Sequence, residues 1–199
     1  KMEGSTEAQP ANERPSDYDI VQYGNEIRAQ QNNIPYVGAM ETLESLRKEY
    51  EAGNDVFLRK INKLEEHYCN LRRTRGDGNC FYRAFIFAYL EHLLVSGDKG
   101  EADRFARVIQ GWKPKLVESG IQELVFEDAM ELLLEQVSNI TNGSLGLEAL
   151  EGAYREDLAS NLVVMLLRMV VSAEIRRRED FFLPFIMGMY DDPPVSVDA

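Results

Sequence analysis

Cys80 stands between a tight polar turn and the most apolar stretch of the chain. The turn is Thr74-Arg75-Gly76-Asp77-Gly78-Asn79, and the apolar stretch covers residues 81–95, FYRAFIFAYLEHLLV. A helix over that stretch places Cys80 in its first turn, where free N–H groups and partial positive charge collect. Both favour a thiolate over a thiol. Gly76 and Gly78 let the backbone turn tightly, and Asp77 and Asn79 are turn and capping residue types. The same free amides suit a developing oxyanion during acyl transfer. The pattern therefore fits a thiol nucleophile. It also fits a small buried hydrophobe, the commoner fate of a lone cysteine, and the local physics leaves both readings open.

The elements that must hold this turn are mostly helical. Residues 1–33 are rich in Glu, Gln, Asn, Ser and Pro and read as a weakly ordered tail, with 18–27 able to dock or to form a short helix. Pro35 biases Ile34 toward extended geometry, so 34–38 reads as an extended lead-in. Thr42 suits an N-cap, with Leu43, Leu46 and Tyr50 at helical spacing and Gly53 beyond the end. Asn54 caps a next helix whose stripe is Phe57, Ile61, Leu64 and Tyr68. The 81–95 helix, apolar on most faces, reads as buried. Further helical patterns cover 101–109, 114–118 and 126–137; Asn142-Gly143-Ser144 marks a loop. Residues 158–177 read as a second heavily apolar helix, whose closing arginines suit its dipole. A short piece at 179–188 packs Phe181, Phe182, Phe185 and Ile186, and 189–199 reads as a tail. No clear alternating strand is visible; 68–73 is the best candidate and is short.

Composition narrows the partners. The chain has 199 residues, 34 acidic against 22 basic side chains, and a formal net charge of −12. That argues against nucleic acid or an anionic membrane as the main partner and for a protein with a basic face. The longest near-continuous apolar run, 162–171, has ten residues and contains Arg168, well short of a membrane span. Cys69 and Cys80 are too few for a disulfide framework or a zinc site of paired cysteines, so no metal or other cofactor is expected. With no secretory signal at the start, the default location is cytoplasmic or nuclear.

The string Arg73-Thr74-Arg75-Gly76-Asp77-Gly78-Asn79-Cys80-Phe81-Tyr82-Arg83 resembles the catalytic-cysteine motif of the otubains, the ovarian-tumour-type cysteine deubiquitinases. The likeness continues in order along the chain. Residues 34–38 resemble the lead-in of plant members, 88–91 the run after the cysteine, and 126–128, 160–168 and 181–188 later family segments. The resemblance covers about 34–188 and implies an α+β, papain-like fold. This chain is expected to be predominantly α, because the family segments forming most of the central sheet lie beyond it. Carried over by motif, Cys80 is the nucleophile that attacks the isopeptide carbonyl at the ubiquitin C-terminus. The backbone amide of Asp77 joins that of Cys80 in the oxyanion hole, and Gly76, Gly78 and Asn79 complete the loop. The implied partners are ubiquitin or polyubiquitin and, as a second class, ubiquitin-conjugating enzymes.

The base is the difficulty. The family's catalytic histidine lies near the C-terminal end, but this chain holds only His67 and His92. His92 is twelve residues along the helix from Cys80, about 18 Å at 1.5 Å per residue. His67 matches no family catalytic position and reads as a solvated polar residue. The sequence is therefore expected to be C-terminally incomplete, with a longer form carrying a histidine beyond the equivalent of Gly188. Left alone, it reads as inactive or, alternatively, as a non-catalytic module binding ubiquitin or a ubiquitin-conjugating enzyme. The uncovered apolar helices are expected to make it prone to association.

Overall fold

The computed structural model describes residues 16–32, 34–50 and 55–187. The chain divides into two compact units, residues 1–34 and 35–199. The first contains helix α1 (Asp17–Asn32), longer than the short helix expected over 18–27. Its start is a reciprocal cap: Ser16 Oγ donates to Asp19 Oδ2 at 2.6 Å and accepts from the Asp19 amide at 3.2 Å.

The second unit begins with strand β1 (Val37–Thr42) and helices α2 (Leu43–Tyr50) and α3 (Asp55–Glu65). Strand β2 (Asn70–Thr74) then leads into the Cys80 turn. Helices α4 (Cys80–Ser96), α5 (Lys99–Gln110), α6 (Trp112–Glu118), α7 (Glu123–Thr141), α8 (Leu147–Arg155), α9 (Asp157–Arg177) and α10 (Glu179–Met187) follow. Among the described residues the sheet is a single antiparallel pair, β1 on β2.

This pair corrects the expectation of no clear strand. The register runs Val37↔Thr74 and then Met40↔Arg72, Glu41↔Leu71 and Thr42↔Asn70, with an irregularity between Val37 and Met40. That shift breaks the two-residue alternation by which a strand is read from sequence. At the bulge the backbones come close: a Cβ on Gly38 would lie 3.1 Å from the Arg73 carbonyl oxygen. Strand β1 overlaps the extended lead-in of 34–38 only at Val37 and Gly38; Thr42, expected to cap α2, is its last residue. Asn54 and Gly53 lie outside the described residues.

The core is built by α4, α7 and α9. On α7 the buried residues Phe126, Ala129, Met130, Leu133 and Val137 recur at three- and four-residue spacing, one helical face. Against them pack Val163, Leu166 and Leu167 of α9 and Ile86, Phe87, Leu90 and Leu93 of α4. Helix α9, with mean hydropathy 1.7 over its most apolar window, is the one helix among the described residues long and apolar enough to cross a membrane. The ten-residue run seen in the sequence understated it, because Asn161 before the run and Ser172 after it bound the run without interrupting the helix. Here α9 packs against α7, α8, α4 and α6.

Three further features go beyond the sequence pattern. The α3 stripe is not buried: Ile61 is, while Phe57, Leu64 and Tyr68 remain exposed, and α3 ends before Tyr68. Helix α8 has no strong sequence signal, since Gly146 caps it without a side chain and only Leu150 and Tyr154 are buried on it. The aromatic residues of α10 pack on one another, Phe181 against Phe182 and Phe185, rather than into the core.

Helix α4 is buried on one side only. Phe81 is 71% and Phe85 50% exposed, their rings 6.4 Å apart and nearly parallel, and Phe85 continues the row to Tyr89. An apolar row open to water favours association. The double variant Phe81→Ser, Phe85→Ser is expected to lower the self-association of the chain seen by sedimentation velocity; an unchanged distribution would show that the row has no part in it.

Candidate active site

Strand β2 delivers the chain to the turn and α4 takes it away, so Cys80 sits where strand gives way to helix. Both cysteines are free and exposed. Cys80 is therefore not the buried hydrophobe that its apolar helix allowed. Cys69 lies just before the far end of β2. The strand's rise of about 3.3 Å per residue carries Cys69 well away from the turn.

The turn is held from within. Asp77 Oδ1 accepts the Asn79 amide at 2.9 Å, and Gly78 between them has φ +82°, a conformation that other residues rarely adopt. Asn79 precedes α4 with no side-chain cap to the helix. Its Oδ1 instead accepts Arg168 Nη1 from α9 at 2.8 Å. The first α4 turn is fixed by the Arg83 amide donating to the Asn79 carbonyl at 3.1 Å. The head of α4 is thus an exposed thiol on a helix N-terminus without a competing side-chain cap.

Beneath the turn lies Arg83, 1% exposed. Its Nη2 donates to Asp77 Oδ2 at 2.6 Å and to Asn161 Oδ1 at 2.7 Å, and its Nε reaches the same Asp77 oxygen at 3.2 Å. Nη1 donates to Ser160 Oγ. The guanidinium lies 4.0 Å from the Tyr36 ring centre, with Arg75 against that ring at 3.7 Å. Arg83, Tyr36, Ser160, Asn161 and Arg168 carried no assigned role in the sequence. An arginine inside an otherwise apolar helix was the available signal for the first of them.

Burial pushes the Asp77 carboxyl upward, but the Arg83 hydrogen bonds, the Asn79 amide and the Arg83 charge outweigh it and hold the group below the ordinary aspartate range. Asp77 then contributes stability above its unfolded value of about 3.9 and loses it as pH falls through the lower folded value. Thermal unfolding of wild type and Asp77→Asn should differ most above pH 5 and converge below about pH 4. A difference constant from pH 6 to pH 3 would show that the charge of Asp77 is not what stabilises the turn.

Neither histidine approaches the thiol. His92 lies toward the other end of α4, twelve residues on from Cys80. His67 lies in the bend after α3, its amide bonded to the Leu64 carbonyl at 3.0 Å, before the far end of β2. Among the described residues no group of three or more His, Cys, Asp and Glu side chains is arranged to hold a metal ion.

Residues 29–197 match the family model described as Peptidase C65 Otubain. The chain belongs to the otubain family. This otubain is 43% identical over 159 residues to an OVARIAN TUMOR DOMAIN-containing deubiquitinating enzyme 1 of Arabidopsis thaliana, covering 78% of the chain and 52% of that protein. It is 33% identical over 174 residues to the ubiquitin thioesterase OTUB1 of Homo sapiens, covering 83% of the chain and 63% of that protein. Among solved structures it is similar to that of a ceOTUB1 ubiquitin aldehyde UBC13~Ub complex. There the TM-score is 0.75 at 30% identity, covering 83% of this otubain and 66% of that chain. The chain thus spans between about half and two thirds of the length of these relatives. Its mostly helical second unit is part of an otubain fold, as the sequence implied.

Proposed function

We propose that this otubain is a ubiquitin-directed cysteine hydrolase whose nucleophile is Cys80. The observation that carries the reading is an exposed Cys80 on the α4 N-terminus, immediately behind the Asp77-Gly78-Asn79 turn. The Cys80 Sγ attacks the carbonyl of the ubiquitin C-terminal glycine. The C–N isopeptide bond breaks, the lysine amine leaves with a proton, and water releases the thioester as a free carboxylate. The Asp77 and Cys80 amides face the developing oxyanion, and Gly76, Gly78 and Asn79 shape the loop. The named relatives, a deubiquitinating enzyme and a ubiquitin thioesterase, support the substrate class. A solved relative in complex with ubiquitin aldehyde and UBC13~Ub supports ubiquitin and ubiquitin-conjugating enzymes as partners. The net charge of −12 suits ubiquitin's basic face. Two free thiols suit a reducing cytoplasm or nucleus.

A second reading, a module that binds ubiquitin or a conjugating enzyme without turnover, is favoured by the distance of both histidines from Cys80. The two readings separate on a ubiquitin bearing a C-terminal vinyl methyl ester. The wild-type chain should gain one ubiquitin and Cys80→Ser none, while the same electrophile on a short peptide reacts far more slowly. Equal rates with and without ubiquitin would remove ubiquitin as the recognised partner; no adduct at all would leave the binding module.

A further inference from the structure

We propose that Arg83 is the positioning residue of the thiol turn, fixing the direction of the Asp77 and Cys80 amides by tying the turn to α9 and to the lead-in of β1. The inference rests on the reading of Cys80 as nucleophile.

Three residues into α4, the Arg83 side chain points back toward the helix N-terminus, as helical side chains do, and so reaches under the loop that precedes it. Its planar fork spends four directed N–H contacts on three partners: Asp77 twice, Asn161 and Ser160. Asp77 then has both carboxylate oxygens committed, Oδ2 to Arg83 and Oδ1 to the Asn79 amide. A carboxylate held at both oxygens cannot rotate, and the backbone of 77–79 is held with it. The far wall is equally fixed. Asn161 Nδ2 donates to the Tyr36 hydroxyl at 3.4 Å, and the Arg75 amide donates to the Tyr36 carbonyl at 3.1 Å. Helix α9 adds a second anchor about two turns on, where Arg168 holds Asn79. One rigid core helix therefore grips the turn at Asp77, through Arg83, and at Asn79 directly.

The charge of Asp77 stabilises the turn, but a charge alone does not require an arginine. Lysine would keep the charge but has no planar fork to satisfy Asp77, Asn161 and Ser160 together. What the arginine supplies beyond charge is geometry, and the geometry it fixes belongs to the two amides that would face an oxyanion.

The test compares wild type, Arg83→Lys and Asn161→Ala, each as the full 199-residue chain. Amide hydrogen exchange of a peptide covering 76–80 should quicken at least tenfold in both variants, with α7 peptides unchanged. With ubiquitin vinyl methyl ester, the rate at saturating probe should fall at least tenfold. The half-saturating concentration should stay the same, and alkylation of Cys80 by iodoacetamide should remain within twofold. Unchanged exchange in both variants overturns the proposal, as does quickened exchange with an unchanged saturating rate. If Arg83→Lys fails to fold, Asn161→Ala decides by the same two readouts. If wild type takes no probe, the ubiquitin reading falls, and exchange alone decides whether Arg83 orders the turn.

Discussion

Turnover of a ubiquitin isopeptide by this 199-residue chain is expected to be about 10²–10⁴-fold slower than by an otubain that sets a general base beside its cysteine. Thiol attack and amine departure both need proton transfer within hydrogen-bond reach. His92 is about 18 Å along α4 from Cys80 by helical rise, and His67 lies before the far end of β2. His67→Ala and His92→Ala should therefore leave the residual rate within twofold of wild type. A reagent that reacts directly with the thiol should still mark Cys80, because exposure and the helix N-terminus do not depend on either histidine. Single-turnover cleavage of a di-ubiquitin by wild type and both variants checks this. A tenfold loss in either histidine variant would mean that a base reaches the thiol by a movement this structure does not contain.

Phe126→Ala is expected to destabilise the second unit by about 3–5 kcal/mol, the range for deleting a buried aromatic side chain. Phe126 is fully buried on α7, and its cluster joins α7 to α4 and α9. The loss has two parts, the apolar area no longer taken from water and the cavity left between helices that collapse only partly. For a domain of this size that corresponds to roughly 10 °C in the unfolding midpoint. Leu124→Ala provides the comparison, since Leu124 is 83% exposed on the same helix; it should change the midpoint by no more than about 1–2 °C. Equal shifts for the two variants would place the core elsewhere.

The helices were legible where burial imposed a period. Residues 126–137 carry the α7 stripe, and the apolar residues of 158–177 announce α9, because each helix buries a face against two or more others. Strand β1 was not legible, because its bulge at Gly38 destroys alternation, and β2 exposes or pairs its polar residues instead of alternating them. The α3 stripe misled for the opposite reason: its period is helical, but among the described residues only Ile61 finds cover. At the site, Cys80 and its turn were legible as local sequence, since glycine, aspartate and asparagine before an apolar run specify a turn and a helix start. The support was not. Tyr36, Arg83, Asn161 and Arg168 come from three elements or their approaches, and only folding brings them to one turn. A hydrogen-bonded cluster of that kind has no period and no fixed spacing.

Two exposed thiols make the assignment of the nucleophile a choice between named residues. Peptide mapping of the chain after reaction with ubiquitin vinyl methyl ester decides it. The adduct is expected on Cys80 alone, with Cys69 unmodified. An adduct on Cys69, or one shared evenly between the two, would contradict the role of the Asp77–Asn79 turn and the α4 N-terminus in creating the nucleophile.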